Sequence, residues 1–84
     1  MLMYMTQIQA TIRLRAGVND LLKSLLGVAT DTAVAQRLHL NQGHYSRVVR
    51  GGSAPGPKFM AHVLLRTGLD FDRLFEVVVE GERS

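Results

Sequence analysis

Residues 8–16 alternate. Ile8, Ala10, Ile12, Leu14 and Ala16 take the even positions, and Gln7, Gln9, Thr11, Arg13 and Arg15 take the odd ones. Successive strand side chains point to opposite faces, so this period of two predicts a half-buried strand over about 7–16. Wound as a helix, the same residues would scatter their apolar groups all round. Gly17 ends the pattern, and the spacing then lengthens to that of helices. Asn19 is expected to cap a helix over 20–26, with Asp20 at its positive end. Leu21, Leu22, Leu25 and Leu26 form its apolar face, and Gly27 stops it. Thr30 is expected to cap a second helix over 31–38, with Val34, Ala35 and Leu38 turned inward. Asn41 is expected to cap a third, running from 42 to 49 or 50. "RGGSAPGP" reads as a turn, and Pro57 suits the first turn of a fourth helix that Gly68 ends.

The fourth helix is apolar nearly all round, with Lys58, His62 and Arg66 as its polar stripe. Such a helix is expected to be covered on more than one side. Asp70 is expected to cap a last short turn through Leu74. The following "FEVVVEGE" fits two patterns. Phe71, Leu74, Phe75 and Val78 continue a helix, whereas Phe75, Val77 and Val79 alternate, and three consecutive valines favour a strand. The strand, about 75–80, is preferred because it gives the first strand a partner for its backbone groups. In an antiparallel pair, Arg13 and Arg15 would face Glu76 and Glu80.

Eighty-four residues, 46% of them hydrophobic, make one small domain, 1–84, whose Met-rich start, 1–6, reads either as a disordered leader or as alternative starts. A domain this small buries limited surface, so self-association would help it. No segment is long and apolar enough for a membrane span. The start lacks the basic flank and cleavage site of a signal peptide, so a cytoplasmic location is expected. With no Cys, disulfides and thiolate metal sites are excluded. Net charge is +3, unevenly spread: residues 1–68 hold eight Arg or Lys and two Asp, while 69–84 hold two Arg against five acids. A basic body suggests a polyanionic partner, though a solvated surface with no partner has the same composition.

The stretch "AVAQRLHLNQGHYSRVVRGG", 33–52, concentrates the candidate chemistry. Its two short helices have the layout of a helix-turn-helix. Ala35 is small where they would cross. Val34, Leu38, Leu40, Tyr45 and Val48 are apolar where the pair would meet a core. The rest of the third helix is polar. A helix fits the major groove of B-form DNA, where Gln pairs with adenine and Arg with guanine through two hydrogen bonds each.

On "TDTAVAQRL", "NQGHYSRVVRG", Pro55 and "GLDFDRLF", the chain resembles the Cro and λ-repressor helix-turn-helix family over about residues 18–75. The resemblance implies a mainly α fold, a compact bundle of four to five helices containing the helix-turn-helix. The amino-terminal strand, and a carboxyl-terminal strand paired with it, would be additions to that bundle. The same resemblance implies a repressor-type, Cro-like transcriptional regulator of a bacterium or phage, binding double-stranded DNA as a dimer on a palindromic operator. By position, Gln42, His44 and Arg47 resemble base-reading residues, and Thr30, Asn41, Ser46 and Arg50 resemble phosphate contacts. Two residues depart from the family pattern. His39 stands where Gly is usual in the turn, and His tolerates a positive φ better than most residues. Gly43 stands where a base-reading side chain is frequent.

Other readings are kept beside this one. An antitoxin of a toxin–antitoxin pair would also bind its own promoter. A protein-interaction adaptor on the same fold would depend on apolar surface instead of Gln42 and Arg47. His39, His44 and His62 lack ligand spacing on one helix, so no metal is expected. There is no Ser–His–acid context and no phosphate-cradling loop before a helix, so no enzyme activity, cofactor or small-molecule ligand is expected.

Overall fold

The alternating segment becomes strand β1, Gln9–Leu14, in a computed structural model that describes residues 9–80. The expected leader over 1–6, and positions 7 and 8 of the expected strand, lie outside these residues. Five helices follow: α1 Val18–Leu26, α2 Asp31–Arg37, α3 Gln42–Val49, α4 Pro57–Thr67 and the single turn α5 Phe71–Leu74. Strand β2, Phe75–Glu80, comes next and pairs antiparallel with β1. A helix-rich fold with a two-stranded sheet agrees with the expected class, and the valine run is a strand.

The cause of each helix end is local. Thr30 and Asn41 accept from the backbone N–H groups of Ala33 and His44 at 3.1 and 2.9 Å, and so cap α2 and α3. Such caps contribute about 1 kcal/mol each. Pro57 opens α4, and Gly27 and Gly68 close α1 and α4 in the left-handed region that glycine adopts without strain. Asn19 does not cap α1. That helix begins two residues earlier, behind Gly17 at φ 86°, and Asn19 lies inside it. Its amide is drawn instead into a contact with α2 and α3. Asp70 occupies the capping position of α5 with no side-chain hydrogen bond. Leu38 ends α2 as its cap and is not part of the helix.

The core lies among the helices and at one end of the ribbon. Leu22, Val34, Ala35, Leu38, Tyr45, Val48, Phe59, Val63, Leu74 and Phe75 are all at most 2% exposed, and Leu14 and Val18 join them. Each large apolar side chain so buried stabilises the fold by about 1.5–3 kcal/mol. Two expectations fail here. Leu25, assigned to the apolar face of α1, is half exposed. The helix α4 is covered on one side only: Phe59 and Val63 are buried, Met60 and Leu64 half-buried, and Leu65 is 76% exposed. Among the described residues, no second layer packs over that outer face.

The register sets Leu14 against Phe75, Arg13 against Glu76, Ile12 against Val77, Ala10 against Val79 and Gln9 against Glu80. Leu14 and Phe75 plug into the helical core. Beyond them the same face continues through Ile12, half-buried against the core, to Val77, Ala10 and Val79, which leave it: Val77 is 61% exposed and Val79 49%. On the opposite face both arginines converge on one acid. Arg13 Nε donates to Glu76 Oε2 at 2.7 Å and Arg15 Nη1 to Glu76 Oε1 at 3.2 Å. The expected partner Glu80 stands across from Gln9 instead, because the pairing is anchored by Leu14 and Phe75. Arg15 Nε also donates to the Asp72 carbonyl at 2.6 Å, tying β1 to α5.

Candidate functional site

The α2–α3 pair is joined by a four-residue bend, 38–41, in which His39 has φ 59°. It is the one residue other than glycine with positive φ among the described residues, so the turn keeps the geometry that favours glycine even with an imidazole there. Leu40 N–H donates back to the Ala35 carbonyl at 2.8 Å and closes the bend. Val34, Ala35 and Leu38 of α2 and Tyr45 and Val48 of α3 are fully covered. Thus α3 is held by one edge.

A polar chain fixes that edge to the rest of the bundle. Tyr45 Oη donates to Asn19 Oδ1 at 2.6 Å, and Asn19 Nδ2 donates to Asp31 Oδ1 at 2.9 Å. The Lys23 ammonium sits 3.1 Å from the same carboxylate oxygen. Three helices are thereby joined through one amide. The hydrogen bond from Asn19, then that from Lys23, holds Asp31 below the usual carboxylate range. Burial, with a smaller contribution from the Asp31 charge, pushes the Tyr45 phenol well above its ordinary value. Periodicity marks Tyr45 as core but carries no signal for the amide that receives its hydroxyl. Asn19 was legible only as a capping residue.

The other side of α3 faces outward. Gln42, Gly43, Arg47 and Arg50 are exposed and Ser46 half-buried, and at 100° per residue these five share one arc of the helix. Gln42 Nε2 donates to Thr32 Oγ1 on α2 at 2.8 Å. This holds its amide across the two helices and still leaves it a second N–H and a carbonyl oxygen. Thr32 is a positioning residue that the sequence reading missed. A Cβ built on Gly43 would lie 3.6 Å from Arg47 Nη1, so the guanidinium lies back over the bare backbone there. Thr30 and Asn41 stand at the starts of α2 and α3, where backbone N–H groups and the helix dipole favour an anion.

His44 is not on this arc. It is half-buried, and its ring meets Phe59 of α4 edge-on at 5.5 Å. The structure therefore brings Gln42, Ser46, Arg47 and Arg50 together and sets His44 at the margin. Among the described residues, no three His, Cys, Asp or Glu side chains are arranged to hold a metal ion. No helix among them is long and apolar enough to cross a membrane.

Comparison with protein-family models, with curated proteins and with solved structures finds no match. The outward side of α3 offers two guanidinium groups and an amide on a rigid helix, and carries no acid: α3 itself contains none. Its donors suit phosphate oxygens and the acceptor edges of bases.

Proposed function

We propose that the chain is a sequence-specific double-stranded DNA-binding protein. In this reading it is a helix-turn-helix transcriptional regulator of repressor type, working in the cytoplasm of a bacterial or phage-infected cell. The helix α3 enters the major groove. Gln42 and Arg47 read base edges, with His44 at the border of that contact. Thr30, Asn41, Ser46 and Arg50 hold phosphates and set the register. The observation that carries this reading is that α3 is anchored along one edge by Tyr45 and Val48 and presents an acid-free row of long donors on the other. Base contacts give the sequence preference, and phosphate contacts give the salt dependence.

Two copies bind a palindromic operator, and the ribbon joins them. The exposed Val77 and Val79 lie together on its uncovered face, and among the described residues no third strand pairs with either ribbon edge. The same exposed apolar residues, with Leu65, favour a second reading, a protein-interaction adaptor.

Selection of duplexes from a random library at a stated salt concentration separates the two. The wild-type chain should enrich one palindrome. Arg47→Ala should relax the preference at one position per half-site at a cost of about 1–3 kcal/mol. If neither protein enriches any motif and both bind weakly and with equal salt sensitivity, the adaptor reading takes its place.

A further inference from the structure

A second feature of the molecule adjoins the surface just described and shares Asn41 and His44 with it. Between the first turns of α3 and α4 lies an open groove of about 620 Å³. That volume is within the range of small-molecule sites. Phe59 and Leu40 give it an apolar lining, and around them stand His39, His44, His62 and Lys58. No Asp or Glu lines it. His62 is the unusual member: its Nδ1 is shielded from solvent and has no hydrogen-bond partner. Such atoms are rare in folded proteins, because a buried polar group without a partner is unfavourable. A nitrogen closed to water is equally closed to a ligand in the open groove, so His62 can contribute only its other ring nitrogen there. The partial positive charge of the two helix starts adds to that of Lys58.

We propose that this groove binds a small amphipathic carboxylate, an aliphatic or aromatic acid. Its apolar body lies against Phe59 and Leu40, and its carboxylate meets Lys58 and His62. The charge of the lining decides the class. An apolar groove with the Lys58 ammonium at its edge and no acid in its lining is complementary to an anion and not to an amine. Lys58 and His62 are four residues apart on one helix, so both side chains rise from the same face and can reach one carboxylate together. The inference goes beyond the DNA reading and does not depend on it.

The test is a nuclear magnetic resonance titration of the full chain with sodium octanoate, without DNA. An equal titration with 1-octanol serves as the uncharged probe of the same length. Octanoate should give saturable shifts at His44, His62, Leu40 and Phe59, and 1-octanol should bind about tenfold more weakly. Lys58→Ala, an exposed change that leaves the core intact, should bring octanoate down to the affinity of 1-octanol. The proposal is overturned by shifts that do not saturate, by shifts that cluster elsewhere, or by equal affinity for the two probes. A second arm does rest on the DNA reading. Because His44 borders both surfaces, octanoate should weaken binding to a selected duplex. A chain that takes octanoate in the groove and enriches no duplex overturns the DNA reading alone. A chain that enriches a duplex and leaves the groove silent overturns this proposal alone.

Discussion

The helical body and the β-ribbon are built on equally clear apolar patterns and treat them differently. In α2 and α3 every inward position is covered: Val34, Ala35, Leu38, Tyr45 and Val48. In the ribbon the alternation of β1 and β2 is just as regular, yet coverage ends with Leu14, Phe75 and the half-buried Ile12, and Val77 and Val79 stand out in solvent. A pattern states which side chains share a face. It does not state whether anything packs on that face. Helices joined by short turns bring their own cover, because each folds back on the one before. A two-stranded ribbon has two faces and two edges, and the body reaches only one end of it.

Truncation should separate the two regions most widely. Tyr45→Ala removes a fully buried ring stacked nearly parallel to Phe59 at 6.0 Å, and should cost about 3–5 kcal/mol in urea denaturation followed by circular dichroism. For so small a domain that is most of its stability. Val77→Asp on the ribbon should leave the urea midpoint of a dilute sample within about 0.5 kcal/mol of wild type. In sedimentation at high concentration it should abolish self-association. A Val77→Asp chain that unfolds like Tyr45→Ala would erase the contrast between the regions.

A finer cut falls on the polar anchor of α3. Tyr45→Phe keeps the ring and deletes the hydroxyl, leaving Asn19 Oδ1 without its donor, at a cost of about 1–2 kcal/mol. It should also change the alkaline limb of the stability profile. Because the folded phenol titrates above its unfolded value of about 10, its contribution is full below that pH and is lost as pH rises beyond it. Wild type should therefore lose stability above about pH 10 more steeply than Tyr45→Phe. Equal alkaline limbs would mean that Tyr45 is not held neutral by its surroundings.

The smallest effect concerns Gly43. An added Cβ meets only Asn41 Oδ1 at 3.4 Å and Arg47 Nη1 at 3.6 Å, both ordinary contacts. Gly43→Ala should then stabilise α3 by about 0.5–1 kcal/mol, seen as a modest rise in Tm. A fall in Tm would show that Arg47 needs the bare backbone beneath it.

Local chemistry made much of this legible in advance. Thr30 and Asn41 announced their helices because a side-chain oxygen before a helix satisfies an N–H that has no other partner. Gly27 and Gly68 announced the ends of theirs. The turn at His39 and the buried edge of α3 followed from spacing. Asn19 misled because the same amide that caps helices also bridges them, and which it does depends on where Tyr45 and Asp31 arrive. Thr32 was silent for a similar reason: its role exists only once Gln42 lies across from it. Glu80 was expected to face the arginine pair because alternation gives parity but not register.

The sequence by itself determined the four longer helices, the ends marked by Thr30, Asn41, Gly27 and Gly68, and the side of α3 that faces the core, because these depend on neighbours within a few residues. Tertiary structure alone decided what covers each face. The Tyr45–Asn19–Asp31 chain, the convergence of Arg13 and Arg15 on Glu76, the open flank of α4 and the groove beside Phe59 all join residues far apart in the chain. Their contacts depend on how the helices cross and on which strand register the core accepts, and no local period encodes either.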